Sequence, residues 1–123
     1  MWRSERDEWL ADLRSGEFPQ GHGALALETD DGLTFCCLGV KCERDARTER
    51  HDIVRSSYLG EVWYGVMGRV DNKSATMPTA VILNAWGLHE HHATALARMN
   101  DDDRLPFAEI ADWIEANVPV EDD

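Results

Sequence analysis

The sequence has few basic residues, few cysteines and no long apolar run. Its 123 residues include 12 lysines and arginines against 24 aspartates and glutamates, which gives a formal net charge of −12. A surface this acidic repels phosphate backbones, so we expect no direct binding to duplex nucleic acid. No apolar run approaches the roughly 18 residues that a membrane span requires, and the charged N-terminus differs from a signal peptide. We therefore expect a cytoplasmic protein without a membrane partner.

The three cysteines argue against both a disulfide framework and a structural metal. Their number is odd, and we expect Cys36, Cys37 and Cys42 to be reduced and structural. The alternative is a metal site that these cysteines form with His89 and His92. Structural zinc sites usually pair their ligands about two to four residues apart, and this pattern is missing here. We predict neither a metal nor a cofactor.

Motifs of the common catalytic chemistries are missing as well. The chain has no Walker loop, no Gly-x-Gly-x-x-Gly run and no Gly-x-Ser-x-Gly elbow. The His-Glu-His-His stretch at 89–92 has the wrong spacing for a zinc protease. A cysteine nucleophile needs a nearby base and an electropositive setting, and the spacing shows neither. We predict no catalytic residues, and a small enzyme stays the alternative.

Apolar residues recur with two periods, which predicts an α+β fold. Alternation on both sides of Asp31-Gly32 indicates a β-hairpin, and alternation over 61–70 indicates a further strand. Helical spacing indicates helices over about 4–15, 78–86, 92–99 and 106–118. For Cys37 to Cys42 the alternatives are a continued buried strand and a helix that reaches toward Ala46, and we favour the helix. The segment 43–57 is either a helix end or a loop. We expect one domain over residues 1–123, in which a small antiparallel sheet packs with several short helices.

The most apolar run of the chain, Leu33 to Cys42, is expected to lie at the centre of this domain. It contains all three cysteines and is bounded by turn residues on one side and charged residues on the other. The two periodicities converge on one predicted core, which contains Phe35, Leu38, Ile82, Leu96, Ile110 and Ile114.

The negative charge is concentrated near the C-terminus. Residues 89–123 carry 10 acidic and 2 basic side chains. Solubility is the simpler interpretation of this charge, and an imitation of nucleic acid that docks on a basic protein is the sharper one. The residues of this candidate acidic surface are Asp101, Asp102, Asp103, Glu109, Asp112 and Glu115.

Three stretches of the chain carry a family resemblance. The first joins 13–21 to the Phe-Cys-Cys-Leu-Gly-Val run at 35–40, the second spans 77–88, and the third joins 96–101 to the Phe-Ala-Glu-Ile-Ala-Asp helix at 107–112. These stretches are similar to those of small uncharacterised bacteriophage and prophage proteins, mostly from actinobacterial hosts. The resemblance implies a phage or prophage origin and brings no catalytic residues.

Phage genomes encode many small proteins that block or redirect host machinery, so the resemblance favours a counter-defence or host-takeover protein that acts by binding. Our first hypothesis is an acidic, anti-CRISPR-like inhibitor that mimics nucleic acid on a basic surface of a host defence complex. The alternative is a sponge that holds an anionic nucleotide signal with Arg55, Trp63, Tyr64 and Arg69. A third hypothesis is a small enzyme that degrades such a signal. Five tryptophans in so short a chain also predict exposed aromatic surface and hence a homodimer or higher assembly.

Overall fold

The computed structural model of the protein describes residues 1–69 and 72–123. The α+β prediction with a small antiparallel sheet is confirmed. No helix in these two ranges is both long and apolar enough to cross a membrane. In chain order the elements are α1 Arg3–Ser15, β1 Ala26–Thr29, β2 Gly32–Phe35, α2 Cys37–Arg47, β3 Ile53–Tyr58, β4 Glu61–Val66, β5 Lys73–Ser74, α3 Ala80–Trp86, α4 Glu90–Asp101 and α5 Phe107–Asn117.

The strands form one antiparallel sheet in the order β2-β1-β4-β3, and the short β5 also pairs with β4. The predicted hairpin is β1–β2, and its turn lies at Asp30 and Asp31, one residue earlier than expected. A second hairpin joins β3 to β4 through Leu59 and Gly60, whose φ angles are 52° and 83°. Two positive φ angles are typical of the tight turns that match the twist of a hairpin.

The segment 43–57 contains the main difference between sequence and structure. The sequence predicts a helix end or a loop there, whereas the structure has the end of α2, a 3₁₀ turn at Arg50–Asp52 and all but the last residue of β3. Strand β3 lies at the sheet edge and buries only Ile53, so the apolar alternation that reveals a strand is missing. The strand predicted at 61–70 ends at Val66, and its last residue, Val70, lies outside the described residues.

The predicted core is confirmed, because all six of its residues are at most 2% exposed. Helix α2 lies at its centre and packs against α1, α4 and the sheet. The cysteine pair starts this helix: the Cys36 sulfur accepts a hydrogen bond from the Gly39 amide at 3.3 Å and so caps the first turn. The Trp9 indole of α1 donates to the Cys37 carbonyl oxygen at 2.8 Å, which joins the two helices.

Gly39 explains why the apolar run contains a glycine in the middle of a helix. A Cβ atom at this position would lie 1.7 Å from the Leu25 carbonyl oxygen. The helix therefore packs directly against the backbone that leads into β1, and only a residue without a side chain fits this contact.

We expect Gly39→Ala to lower the free energy of unfolding by at least about 1–3 kcal/mol. The added methyl group would force α2 away from the backbone at Leu25. In an unconstrained helix the same change stabilises by about 0.5–1 kcal/mol. Urea denaturation of the variant checks the sign. The reverse change at the exposed Ala11 of α1, Ala11→Gly, is the control, and a loss of about 1 kcal/mol is expected there. A stabilised Gly39→Ala protein would contradict the close approach.

Candidate functional site

Helix α2 carries three charged side chains that are almost fully buried. Lys41, Glu43 and Asp45 are 1%, 2% and 0% exposed. An unpaired charge at such depth is strongly destabilising, so each of them requires partners from other elements. Lys41 and Asp45 are one helical turn apart and face α1, whereas Glu43 faces the strands β3 and β4.

Lys41 is the centre of a first group, which we call the lysine cluster and define as Glu5, Lys41, Asp45 and His51. The Lys41 ammonium donates to the Glu5 carboxylate and lies 3.5 Å from Asp45 Oδ2. His51 Nε2 lies 2.5 Å from the second oxygen of Glu5. The Trp86 indole donates to Asp45 at 2.8 Å, and its ring lies 5.1 Å from the ammonium. The cluster thus joins α1, α2 and the 3₁₀ turn, and Trp86 attaches α3 to it.

The two carboxylates of the lysine cluster have pKa values shifted in opposite directions. Burial alone would raise the pKa of Glu5, but the hydrogen bonds and charges of Lys41 and His51 lower it below its ordinary value. Burial raises the pKa of Asp45, and the attraction of Lys41 and the Trp86 hydrogen bond offset only part of this rise. One Asp45 oxygen, Oδ1, is buried without a hydrogen-bond partner, which agrees with the weaker stabilisation of that charge.

His51 reaches Glu5 from a backbone segment with unfavourable dihedral angles. Glu49, His51 and Asp52 have φ angles of 57°, 57° and 59°, and none of them is a glycine. Each residue in this left-handed region costs about 1–3 kcal/mol and persists only where its surroundings enforce it. The contact between His51 and Glu5 is such a constraint, together with the Arg50 hydrogen bond to Glu8 at 3.0 Å.

The lysine cluster also contains the donor set of a metal site. One ligand atom from each of Glu5, Asp45 and His51 lies within 4.8 Å of the others. The Lys41 ammonium already contacts both carboxylates, so it supplies the positive charge that a cation would bring. The lysine cluster is therefore an ion-pair network in which the Lys41 ammonium takes the role of a metal cation.

A second group surrounds Glu43, and we call it the glutamate cluster: Glu43, Arg47, Arg55 and Tyr64. The Tyr64 hydroxyl donates to Glu43 at 2.8 Å, and Arg55 donates to both carboxylate oxygens at 3.0 and 2.8 Å. Arg47 donates from one turn further along α2 at 2.8 Å. Burial and the charge of Glu43 raise the pKa of Tyr64, so its hydroxyl stays protonated as a donor. The cluster fixes α2 to the sheet.

A cleft of ≈ 570 Å³ opens beside the glutamate cluster, between α2 and β3. Arg47 and Arg55 line it, but both are engaged by Glu43. Glu49 and Asp52 line it as well, so the cleft has no excess of positive charge for an anionic ligand.

The four predicted nucleotide-binding residues do not form one site. Arg55 and Tyr64 are cross-strand partners that point toward α2, and Tyr64 is fully buried. Trp63 precedes Tyr64 on β4 and points to the opposite face of the sheet, where the Lys73 ammonium lies 4.6 Å from its ring. Arg69 lines a shallow cleft on that same outer side. The two arginines and two aromatic rings are therefore divided between the two faces.

The cysteines and histidines of the alternative metal site do not assemble either. All three thiols are buried and unpaired within the core. Among the described residues, the only group with metal-ligand geometry is the one in the lysine cluster. His89 and His92 lie at the start of α4 with their rings 6.2 Å apart, and the His92 ring packs edge-on against Trp113.

The six predicted acidic residues differ in their surroundings. Asp112 and Glu115 accept hydrogen bonds from Arg14 at 2.9 and 2.7 Å. Asp101 accepts one from the Gly23 amide at 2.9 Å, so it holds the loop before β1. The remaining three are exposed and form no ion pair in the described ranges, and we call them the acidic patch: Asp102, Asp103 and Glu109.

These observations define a small α+β domain whose central helix is held by two buried ionic clusters. The model of one protein family, described as a domain of unknown function (DUF8296), matches residues 1–118, and the chain belongs to this family. No curated protein and no solved structure matches the chain.

We expect Glu5→Gln to lower the free energy of unfolding at pH 7 by about 3–5 kcal/mol, because the buried Lys41 then loses its main counter-charge. The pKa of Glu5 is lowered in the folded state, so its contribution is present above the ordinary pKa and is lost as the pH falls through the folded value. The gap between wild type and variant should therefore narrow as the pH falls below 4.5. Urea denaturation of both proteins at pH 7, 5 and 3 measures this difference in the free energy of unfolding.

The matched control for Glu5→Gln is Glu17→Gln. Glu17 also pairs with arginines of α2, but its side chain is 52% exposed. Exposed ion pairs contribute about 0–1 kcal/mol, so the control should change stability little at any pH. Equal losses in the two variants would show that burial does not set the strength of the Lys41 pair.

The thiols are expected to resist alkylation in the folded protein. Burial raises the pKa of Cys36 to about 11 and also raises the pKa values of Cys37 and Cys42, so the reactive thiolate form is scarce and inaccessible. Iodoacetamide at pH 8 should label the native protein slowly and label three thiols after denaturation. Rapid labelling of one native thiol would identify a reactive cysteine and revive the enzyme hypothesis.

Proposed function

We propose that the protein is a phage-type counter-defence or host-takeover protein that acts by binding in the host cytoplasm. In this proposal the acidic patch and its neighbours dock on a basic, nucleic-acid-binding surface of a host complex. The observation that carries the proposal is the uneven distribution of ion pairs. Ion pairs neutralise the α1–α2 side, whereas the acidic patch, just after α4 and in the first turn of α5, forms none in the described ranges.

The basic residues are used mainly inside the domain. Eight of the 12 form ion pairs in the described part of the chain: Arg3, Arg6, Arg14, Lys41, Arg44, Arg47, Arg50 and Arg55. Six of these eight find their acidic partners before residue 52, within α1, α2 and the segment between α1 and β1. Residues 89–123 bring only two basic side chains of their own, so this end of the chain stays strongly negative.

The exposed carboxylates would take the place of phosphates on the partner. Like charges on one surface create a potential that attracts a basic groove and speeds association. This attraction is screened over about 8 Å at physiological ionic strength, so association should slow as salt is added.

The nucleotide sponge and the signal-degrading enzyme are the competing hypotheses. The division of Arg55, Tyr64, Trp63 and Arg69 between two sheet faces leaves the sponge without a shared pocket for its ligand. A degrading enzyme would have to act through groups other than the buried thiols.

The test is recovery of a host partner by the immobilised protein from nuclease-treated lysate of an actinobacterial host. We expect a basic protein complex to be retained, and we expect the triple variant Asp102→Asn, Asp103→Asn, Glu109→Gln to associate about tenfold more slowly. The control is Glu28→Gln, Asp30→Asn, Asp31→Asn on the β1–β2 hairpin, which removes the same charge from exposed positions elsewhere.

Three outcomes would overturn this proposal. Equal effects of the two triple variants would show that only net charge matters. A small anionic molecule released intact from the recovered protein would support the sponge. A metabolite consumed over many turnovers, with no retained protein, would support the enzyme.

A further inference from the structure

Large exposed hydrophobic residues concentrate around strand β3. Six are exposed in the described ranges, and four of them lie on β3 or beside it: Val54, Tyr58, Leu59 and Met67 at 37%, 75%, 89% and 66%. Exposed apolar residues gathered in one place commonly mark an interaction surface.

The outer edge of β3 also presents unpaired backbone groups. The Met67 amide donates to the Asp52 carbonyl oxygen at 2.8 Å, so Asp52 and Met67 form a hydrogen-bonded pair at the start of the β3–β4 ladder. Pairing in an antiparallel ladder alternates, so Val54, Ser56 and Tyr58 direct their backbone groups to β4. The backbone groups of Arg55 and Ser57 consequently point away from the sheet.

Strand β3 is the last strand of the sheet, and in the described ranges no other element forms backbone hydrogen bonds with Arg55 or Ser57 on this edge. The opposite edge, β2, is partly covered, because Phe35 exchanges backbone hydrogen bonds with Pro19 and Gly21 at 2.8 and 2.7 Å. An open six-residue edge with apolar side chains is a template for pairing with another strand.

We propose that β3 pairs with β3 of a second copy of this chain, antiparallel and about a two-fold axis at Ser56. In this register Ser56 lies opposite its own copy, and Arg55 exchanges backbone hydrogen bonds with Ser57 of the second copy. Both residues have the outward-facing groups that such bonds require. The two sheets then join into one continuous sheet.

The register follows from the positions of the apolar side chains. Val54 and Tyr58 lie two residues before and after Ser56, so the two-fold axis brings each Val54 opposite a Tyr58 on the outer face. Aromatic and β-branched residues in opposite positions are a stabilising cross-strand pair, and the symmetry forms this pair twice. Leu59 of one copy lies opposite Ile53 of the other, near the exposed Met67 at the start of that copy's β3.

The local charge favours a second copy over a basic partner. Residues 53–69 contain two arginines and one glutamate, in a chain whose formal net charge is −12. Repulsion between two acidic copies is therefore weakest at this edge, and a basic partner would find no net negative charge to attract it. Added salt should strengthen the dimer, because it screens the repulsion between the rest of the two chains.

Disulfide trapping tests both the edge and the register. Under mild oxidation Ser56→Cys should form a cross-linked dimer, because directly opposite residues of a non-hydrogen-bonded pair have Cα atoms about 4.5 Å apart. Ser57→Cys is the matched control: two copies of position 57 are not opposite each other in this register, so it should cross-link at least about tenfold more slowly. The native cysteines are buried and do not interfere.

Sedimentation of the unmodified protein completes the test. We expect a concentration-dependent dimer that is weakened at least about tenfold by Tyr58→Ser, since the 75% exposed ring contributes little to the monomer. A protein that sediments as a monomer up to high micromolar concentration overturns the proposal. A dimer in which Ser57→Cys cross-links as fast as Ser56→Cys also overturns it, because another register or surface would then be in contact.

Discussion

The structure depends on Lys41, a charged side chain that is buried in the core, where an unpaired charge is strongly destabilising. The Lys41 side chain is 1% exposed, and the residues on either side of it in α2, Val40 and Cys42, are apolar. It is stable there because α1 supplies Glu5, α2 itself supplies Asp45 and α3 supplies the Trp86 ring. Removing any of these elements would take away one partner of a buried charge, which makes the assembly of the helices cooperative.

The same requirement accounts for the unusual backbone before β3. A hydrophobic contact in place of the lysine cluster would tolerate several positions of the 3₁₀ turn, whereas a carboxylate shared by Lys41 and His51 accepts few. The left-handed conformation of Glu49, His51 and Asp52 is how the chain reaches that carboxylate and still enters β3 in register with β4. Buried ion pairs are often weaker stabilisers than apolar packing, and their contribution here is geometric specificity.

Sequence patterns predict the core and the helices well, because burial of apolar residues creates the periodicity that reveals them. Helix α3 ends at Trp86, where its predicted range ends, and the Leu88 amide bonds the Leu83 carbonyl oxygen at 3.0 Å. Strand β3 is not predicted, because an edge strand with one buried residue shows no alternation of apolar and polar residues. The two ionic clusters are not predicted either, because Glu5 and His51 are 46 positions apart and only the fold brings them together.

One signal of the clusters is nevertheless visible in the sequence. Lys41 and Asp45 are four positions apart on a helix that begins with a continuous apolar run. Such a pair normally faces solvent, but Lys41 lies within the apolar run Leu33 to Cys42 that is expected to be buried, and this position is the signal. The partners on other elements remain hidden until the topology is known.

The alternation of Trp63 and Tyr64 on β4 makes this strand far more sensitive to insertions than to substitutions. Side chains exchange faces with every residue, so one extra residue at this point would turn an indole toward Glu43 and move the Tyr64 phenol to solvent. The buried carboxylate would lose its hydroxyl donor, and the outer face would lose its aromatic ring in the same event. A substitution on the outer face leaves the inner one intact, so surface recognition can change over evolution while the length of β4 stays constant.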